Sequence, residues 1–314
     1  MNLLIVKLGA VGDVVMAIEG LARLDPLPDV TWVCGAQVEP LVRASGLVKE
    51  ILPVNEDLFY RGGPHGRLME FGRVNRALAF RKFDAAFTAY RSRAYRLISL
   101  TVRAERHAFF DPKPGAYHGD AVLDVLRELT GGAAGARRAL FPGPGKTGGS
   151  WRVALAPGGA RNILRDDALR RWPTERYHAL AARLLAEGAE VVVTGAPSDS
   201  RVRSGMPPGV NDRIGSTDLL GLIQLYRGCD AVVTHDSGPM HLAGLAEVPV
   251  VALFGPTRPE EKAPRARVLW GGEKLTCRPC YDGRKYAAWC RKNECLEEIG
   301  VDRVMQELYA IRKP

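Results

Sequence analysis

Two short polar loops in the sequence carry residue types suited to ligand binding. In the first, Gly9-Ala10-Val11-Gly12-Asp13 separates the apolar run Leu3-Leu4-Ile5-Val6 from a stretch with helical spacing. Its glycines allow close backbone approach to a ligand. Asp13 lies at or near the helix start, where an ordinary helix cap is the alternative to a role in chemistry. Lys7 stands where a dinucleotide-binding fingerprint needs its first glycine, so that fingerprint is absent.

The second loop leads from a buried strand through Thr234-His235-Asp236-Ser237-Gly238-Pro239-Met240-His241 into a helix. Ser237 is placed to cap that helix and Pro239 suits its first turn, so we expect free N–H groups around Gly238 and Met240 to meet a diphosphate. Two histidines and a carboxylate are costly to bury without a ligand or partner. The pattern therefore favours a binding site, and a well-capped core helix is the alternative.

A third loop, residues 156–161, has the sequence Ala-Pro-Gly-Gly-Ala-Arg and leads to Arg170-Arg171-Trp172-Pro173. Guanidinium groups beside glycine-rich backbone could neutralise the charge that develops on a leaving diphosphate. A solvated basic loop explains the same residues. Gly145-Lys146-Thr147 is no phosphate-binding P-loop, because Leu140 occupies the place of its first glycine.

These loops need a scaffold of alternating strands and helices, and the sequence predicts one. Continuous apolar runs predict buried strands, with helical spacing between them, near residues 3–6, 30–34, 85–88, 153–156, 190–194, 231–234 and 250–254. Such alternation is typical of parallel sheets covered on both faces. The 314 residues are enough for two domains, and the Gly- and Pro-rich segment 131–150 is the predicted linker.

The composition narrows the class of protein. The chain carries 44 Lys and Arg against 35 Asp and Glu, a net charge of +9, which favours anionic partners. Disorder, collagen and coiled coil are excluded, and no apolar run is long enough to span a membrane. Lys7 and Asp13 interrupt the apolar start, so we expect no signal peptide and a cytoplasmic location.

Taken together, the motifs resemble those of glycosyltransferase family 9, the ADP-heptose:lipopolysaccharide heptosyltransferases. The matching segments are Lys7 to Val14, Pro157-Gly158-Gly159, Arg170 to Pro173, Asp236 to Ala243 and Val250 to Thr257. The resemblance implies an α/β fold of the GT-B type, with two Rossmann-like domains of parallel sheets facing a central cleft. It implies an acceptor-binding domain over residues 1–145, a nucleotide-sugar-binding domain over residues 146–314, and a last helix that packs back on the first domain.

The same resemblance implies roles for individual residues. Asp13 corresponds to the general base, with Lys7, Gly12 and Arg91 on the acceptor side. The implied donor-binding residues are Gly158, Arg170, Arg171, Thr217, Asp236, Ser237, Gly238 and His241. Arg170 stands where the family has a phosphate-binding lysine, and the insertion-like segment 162–169 leaves Arg161 and Arg165 as competing phosphate ligands.

The implied reaction is a single inverting displacement without a catalytic metal. Asp13 would take a proton from the acceptor hydroxyl as that oxygen attacks the anomeric carbon of ADP-heptose. Arg170 and the helix start at Ser237-Gly238 would stabilise departing ADP.

The sequence does not decide the function of two further sets of residues, a group of arginines and a group of cysteines. Ten arginines lie between Arg61 and Arg106, among them Arg91; they form either a solvated face or a surface for the lipopolysaccharide core or the inner face of the membrane. No nucleic-acid-binding motif accompanies them. Cys277, Cys280, Cys290 and Cys295 have spacing that fits a structural zinc site, with free thiols or disulfides as alternatives.

Other functions compete with heptosyl transfer. One is another GT-B nucleotide-sugar enzyme, a transferase with a different donor or an epimerase. Another is a nucleotide-binding module without activity, which the presence of both Asp13 and the segment 236–241 disfavours. The missing fingerprint disfavours a dehydrogenase.

Overall fold

The computed structural model describes residues 1–314 except 91–92, 111–113, 162, 264, 282–285, 287–289, 291 and 313–314, and it leaves the side chains of residues 93 and 94 undescribed. The described chain divides into two compact units. Residues 1–142 form the first together with Ile163 and Leu164, and residues 143–161 and 165–314 form the second. The division thus follows residue 142, where the sequence placed it after residue 145.

The first unit is a parallel sheet with helices between its strands. The sheet strands are β1 (Asn2–Val6), β3 (Asp29–Gly35), β4 (Glu50–Val54), β5 (Lys82–Thr88) and β6 (Arg103–Phe109). Their spatial order is β4-β3-β1-β5-β6, and every pairing is parallel. The helices are α1 (Val11–Leu21), α2 (Glu39–Ala44), α3 (Glu56–Arg61), α4 (Gly63–Leu78), α5 (Arg93–Ile98) and α6 (His118–Thr130).

Part of the predicted linker belongs to this unit. Strand β7 (Ala133–Ala134) pairs antiparallel with β2 (Leu24–Asp25), so residues 131–135 are not a free connection. The backbone amides of Gly135 and Arg138 donate to the carbonyls of Arg23 and Ala22. Glycine and alanine let the extended chain lie close to these carbonyls, which composition alone did not reveal.

The second unit repeats the arrangement. Its strands are β8 (Arg152–Ala156), β9 (Glu190–Val193), β10 (Asn211–Asp212), β11 (Ala231–His235), β12 (Val250–Phe254) and β13 (Arg267–Trp270), in the spatial order β10-β9-β8-β11-β12-β13. Its helices are α7 (Thr174–Ala186), α8 (Leu219–Arg227), α9 (Gly238–Leu245), α10 (Glu294–Glu297) and α11 (Val301–Arg312). All of its strand pairings are parallel. The predicted class, α/β with two Rossmann-like domains, is confirmed.

Helix α11 completes the core of the second unit. Its apolar stripe, Val304, Met305 and Leu308, is fully buried in that core and packs near α7, β12 and β13. A parallel sheet must be covered on both faces, and α11 covers part of one face here. That this helix also packs on the first domain, as the resemblance implies, stays a prediction. No helix in the described part of the chain is long and apolar enough to cross a bilayer.

The close approach of Gly271 to the Cys295 backbone gives a stability prediction. A Cβ at residue 271 would overlap the carbonyl oxygen of Cys295. Because backbone cannot move aside as a flexible side chain can, we expect Gly271→Ala to lower the free energy of unfolding by about 3 kcal/mol, measured by urea denaturation.

Gly244→Ala is the matched control, since a Cβ there meets no atom within 4 Å and the residue lies in α9. It should be neutral or should stabilise by up to about 1 kcal/mol. Equal effects of the two substitutions would contradict the packing described for Gly271.

Candidate functional site

The first predicted loop is fixed by backbone hydrogen bonds to its neighbours. The Lys7 amide donates to Val33 O, the Trp32 indole donates to Lys7 O, and the Leu8 amide donates to the Tyr95 hydroxyl. Asp13 is not the N-cap of α1, because that position belongs to Ala10. Its carboxylate is therefore available for other contacts in the first turn of the helix.

Among the described residues, Lys7 and Tyr90 contact the Asp13 carboxylate. Lys7 Nζ lies 3.2 Å from Asp13 Oδ2, and the Tyr90 hydroxyl donates to the same oxygen. Lys7 Nζ also lies 4.6 Å from the centre of the Tyr90 ring. Burial would lower the pKa of Lys7, but Tyr90 and Asp13 hold it above its ordinary value. Burial and the nearby Asp13 raise the pKa of Tyr90, so its hydroxyl stays protonated and remains a donor.

Glu56 is a carboxylate at this site that sequence analysis missed. It lies at the start of α3, and a Cβ on Gly35 would overlap its carboxylate, while a Cβ on Gly9 would lie 3.0 Å from it. Burial raises the pKa of Glu56, opposed by Lys7. The signal in the sequence was available, because Glu56 closely follows a strand whose carboxyl end lies at the same edge of the sheet as that of β1.

The other residues predicted on the acceptor side are less defined. Gly12 lies in the first turn of α1 beside Asp13. Arg91 lies outside the described residues. A small pocket beside Asp13 has room for about one water molecule and is lined mainly by apolar side chains. Its lining includes Met16, Phe87, Phe110, His118 and Val122.

In the second unit, parallel pairing of β8 with β11 brings two of the predicted loops together. A Cβ on Gly159, whose φ is +82°, would lie 3.2 Å from Ser237 Cβ at the start of α9. A Cβ on Gly158 would overlap the carboxylate of Asp199, which accepts from the Ala196 amide. Only glycine fits these positions, as expected for a loop that lies against a helix N-terminus.

The start of α9 differs from its prediction in two details. Ser237 occupies the N-cap, but its hydroxyl donates to His235 O and does not cap the helix. The Met240 amide donates to Ser237 O, so it is not the free donor that we expected. Pro239 lies in the first turn, as predicted. Gly238 thus remains the predicted diphosphate-binding position at this terminus.

Asp236 and Arg170 form a largely buried ion pair. Arg170 Nη1 lies 3.5 Å from Asp236 Oδ2, and their side chains are 16% and 6% exposed. Thr257 donates a hydrogen bond of 2.7 Å to the same oxygen. Burial would raise the pKa of Asp236, but Arg170, then Lys262, Thr257 and His241, bring it below its ordinary value. Asp236 is therefore ionised at neutral pH.

Two tyrosines also hold Arg170, and sequence analysis did not identify them. Arg170 Nε donates to the Tyr286 hydroxyl at 3.2 Å, and the guanidinium lies 4.5 Å from the centre of the Tyr281 ring. The Arg165 guanidinium lies against the same ring at 5.4 Å and donates to the Tyr281 hydroxyl. More than a hundred residues separate the tyrosines from the arginines, so no local pattern indicated these contacts.

The insertion-like segment pairs its own charges. Arg161 lies 2.7 Å from Asp166, and Arg171 contacts the same carboxylate while its Nε donates to Gly159 O. Arg165 lies 3.7 Å from Asp167. Arg161, Arg165 and Arg171 are thus each paired with an acid of this segment, and Arg171 also contacts the glycine loop through Gly159 O.

The two histidines of the second loop are in different surroundings. His235 is fully buried, its Nδ1 lies 3.2 Å from the Tyr177 hydroxyl, and its Nε2 has no hydrogen-bond partner among the described residues. Burial, and then the charge of Arg171, lower the pKa of His235 to about 3, so it is neutral. His241 lies on α9, near enough to Asp236 to affect that carboxylate.

Thr217 lines an open cavity of about 530 Å³. Arg213, Ser216, Asp218 and Gly221 also line the cavity. Asp218 caps α8 by accepting from the Gly221 amide at 2.7 Å. The cavity has the size of a small-molecule site, and its role is a prediction from the sequence.

The cysteines are free thiols. Burial raises the pKa of Cys295 to about 11, and Cys280, Cys290 and Cys277 lie near enough to contribute. The Cys290 thiol donates to Lys292 O. Across the described part of the chain, no group of three or more His, Cys, Asp or Glu residues could hold a metal ion. The predicted zinc site is thus not assembled in this structure.

Comparison with known proteins defines the class. The chain is similar over its length to solved GT-B heptosyltransferases. It covers 96% of a family 9 glycosyltransferase from Veillonella parvula, with a TM-score of 0.76 and 20% identity. It covers all of the Escherichia coli heptosyltransferase WaaC solved with ADP, with a TM-score of 0.74 and 18% identity. In both cases 99% of this chain is matched. The GT-B fold predicted from the sequence is confirmed.

The sequence match lies in the second unit. Residues 155–286 match the model of glycosyltransferase family 9 (heptosyltransferase), the family whose motifs the sequence resembles. Over 156 residues the chain is 31% identical to lipopolysaccharide heptosyltransferase 2 of Salmonella typhimurium and 32% identical to that of Escherichia coli K12. Each match covers 45% of this chain and 42% of the relative, so the matched stretch is less than half of those proteins.

The ion pair between Arg170 and Asp236 gives a pH-dependent prediction. Arg170→Met leaves a buried carboxylate without its main partner, and we expect a loss of about 3 kcal/mol of unfolding free energy at pH 7.5. In the native protein, ionised Asp236 stabilises the fold above about pH 4, and this contribution is lost as the pH falls further. In the variant, burial raises the pKa of Asp236, so the carboxyl takes up a proton and the difference from wild type shrinks at pH 4.5.

Urea denaturation at the two pH values measures this difference. Arg183→Met is the control, since Arg183 pairs with Asp302 on the surface and its loss should have little effect. A loss for Arg170→Met that is equal at both pH values would show that the ion pair is not its cause.

Proposed function

We propose that the protein is an inverting glycosyltransferase that moves heptose from ADP-heptose to an acceptor sugar of the lipopolysaccharide inner core. The observation that carries the proposal is the contact set of Asp13. Its side chain is 29% exposed, yet Lys7 and Tyr90 fix its orientation. A general base needs both properties, because it must reach a substrate proton and must be held in one geometry. The family match of residues 155–286 supports the choice of donor.

On this proposal the first unit binds the acceptor. Lys7 and Tyr90 would hold the Asp13 carboxylate in the orientation needed to meet the acceptor hydroxyl. As the acceptor hydroxyl attacks the anomeric carbon, its proton passes to Asp13. The new bond forms as the bond from that carbon to the diphosphate oxygen breaks, with inversion at the carbon. Gly12 and Arg91 are the further acceptor-side residues that we propose.

The second unit would hold the donor. A guanidinium has five N–H donors, so Arg170 is able to keep Asp236 and Tyr286 as partners while it binds phosphate oxygens. Gly158, Arg171 and the α9 start at Ser237-Gly238 lie beside the same loop. We propose the remaining donor contacts for Thr217, Asp236 and His241. Negative charge that develops on departing ADP would be stabilised by Arg170 and by the positive end of the α9 dipole. The chemistry as proposed needs no metal or cofactor.

We also propose that the enzyme works in the cytoplasm at the inner face of the membrane, where such an acceptor is assembled. The basic composition supports contact with an anionic acceptor. The following experiments distinguish this proposal from two alternatives. One is a GT-B enzyme with another donor nucleotide, and the other is an inactive nucleotide-binding module.

Asp13→Asn tests the base. With ADP-heptose and a truncated core lipid as substrates, ADP release and product mass report turnover. We expect kcat to fall by about 10²–10⁴-fold, because the amide cannot accept the proton, while the Kd for ADP-heptose changes less than twofold. Asp124→Asn on exposed α6 is the matched control and should retain wild-type turnover. Full activity of Asp13→Asn would remove the assignment.

Ligand-dependent stability tests the donor. ADP, UDP and GDP are compared in thermal unfolding, since a ligand present at 100 times its Kd raises stability by about 2.7 kcal/mol. We expect a shift with ADP that exceeds the shifts with UDP and GDP. A larger shift with UDP or GDP would indicate another donor. A shift with ADP but no turnover on any core acceptor would indicate a module without activity.

A further inference from the structure

The first unit presents an apolar and basic surface that the proposed catalytic groups do not use. Its exposed apolar side chains come from α4, from the turn after α4 and from the end of α5. They are Leu68, Met69, Phe80, Leu97 and Leu100, and their exposed fractions are 65%, 60%, 91%, 42% and 68%. Single exposed apolar residues are ordinary, but a set on neighbouring elements marks an interaction surface. We call this set, with the cations described below, the α4–α5 surface.

Helix α4 separates its outer face from its buried face. Glu70, Val74 and Leu78 are buried, whereas Leu68 and Met69 lie outward with Arg76 two turns further on. Helical spacing places Met69 and Arg76 on one side of the helix. The outward face of α4 thus carries apolar groups and positive charge. The acid of this helix, Glu70, is turned inward and paired with Arg73.

Hydrogen bonds bring the α5 residues to the same surface. The Asn75 side chain donates to Leu97 O at 2.9 Å and accepts from the Thr101 amide at 3.0 Å, which ties the end of α4 to the end of α5. The strands that follow the two helices pair directly, with Lys82 of β5 opposite Arg103 of β6. Phe80 and Leu100 precede these paired residues by only a few positions, so they lie near each other.

The cations of this surface lack acidic partners. Arg76, Lys82, Arg96 and Arg103 are exposed, and none of their side chains forms a hydrogen bond or ion pair with another described residue. The acids of the neighbourhood are mostly engaged: Asp84 accepts from the Asn2 amide, and Glu50 pairs with Arg81. Glu105 on β6 is the exposed carboxylate beside Arg103. The local field is therefore positive.

Phe80 is the most exposed apolar residue of the α4–α5 surface. Its φ of +64° lies in the left-handed region, which bulky residues rarely adopt, and its ring is almost fully exposed. Phe80 follows the end of α4, where the Arg81 amide donates to Leu78 O, but its side chain is left uncovered by the unit. A partner that takes up the ring would supply the missing contact.

We propose that the α4–α5 surface docks the protein on an anionic lipid bilayer, with Phe80 and the leucines at the boundary of headgroups and acyl chains and the cations on lipid phosphates. Amphipathic helices with basic residues bind membranes in this way. The proposal names the surface for the membrane contact proposed above, but it rests on contacts that are independent of catalysis.

Charge favours a bilayer over other partners. In a symmetric pair of copies the same patch meets itself, so four unpaired cations would face four more. Bound nucleic acid would require aromatic stacking, whereas four of the five apolar residues here are aliphatic. Lipid phosphates neutralise the cations, and the acyl boundary accepts the aliphatic groups.

The test is sedimentation of the full chain with vesicles of phosphatidylcholine, with or without 30% phosphatidylglycerol. We expect at least tenfold stronger partition to the anionic vesicles, weakened by salt. The double variant Phe80→Ser, Leu100→Ser should lower partition to the anionic vesicles at least tenfold. Lys82→Gln with Arg103→Gln should lower it about 25-fold at low salt, roughly fivefold for each cation. Arg201→Gln with Arg303→Gln, two exposed cations of the second unit, is the matched control and should change it less than twofold.

Two further measurements separate the outcomes. All variants should unfold at the wild-type temperature and should turn over a water-dispersed truncated acceptor at the wild-type rate. The proposal would be overturned if the wild-type protein did not bind anionic vesicles. It would also be overturned if the surface variants bound them as strongly as wild type does. Light scattering that shows a dimer abolished by Phe80→Ser would overturn it as well, because the surface would then join two copies. Vesicle binding without heptosyl transfer would reject the proposed function and leave this inference standing.

Discussion

Parallel strand pairing is the constraint on which the candidate site residues of each unit depend. In a parallel sheet the carboxyl ends of adjacent strands meet at one edge. Pairing of Val6 with Thr88 therefore places Lys7 and Tyr90 beside each other, and Asp13 joins them from the first turn of α1. Pairing of Ala156 with Thr234 likewise sets Gly158 and Gly159 against the start of α9. Residues distant in sequence are thus brought together by backbone hydrogen bonds before any side chain contributes.

Each unit contains a carboxylate paired with a cation, and the two carboxylates differ in how deeply they are buried. Asp13 is 29% exposed, so solvent and substrate are able to reach it, and its partners orient it. Asp236 is 6% exposed and has its pKa lowered by Arg170, so it stays charged and fixes the guanidinium. Under the proposed function this difference in burial would separate the two roles: the accessible carboxylate of Asp13 would take up a proton, and the buried carboxylate of Asp236 would hold a phosphate-binding guanidinium in place.

The sequence predicted the inner strands of both sheets and the glycine-rich loops, because continuous apolar runs and glycines are local signals. Most of β3, β8, β11 and β12 was identified in this way. The sequence did not predict the edge strands β4, β6, β10 and β13. Helix α4 was not predicted, since Gly63, Gly66 and Gly72 break its apolar period. The contacts of Arg170 with Tyr281 and Tyr286 could not be predicted either, because they depend on the path of the chain through a second layer of structure. The hydrogen bond of the Ser237 hydroxyl could not be predicted either. The hydroxyl donates to His235 O and does not accept from the helix amides, and this depends on local geometry.

The structure separates the arginines between Arg61 and Arg106 into paired and unpaired side chains, a distinction that the sequence does not make. Arg67 donates to Phe59 O, Arg73 pairs with Glu70, and Arg81 pairs with Glu50, so these three stabilise the unit from within. Arg76, Arg96 and Arg103 have no such partners among the described residues. These unpaired side chains have no protein acid to give up before they contact an external anion. Arg76 and Arg103 lie near Phe80 and Leu100 in the chain, where apolar groups are exposed as well.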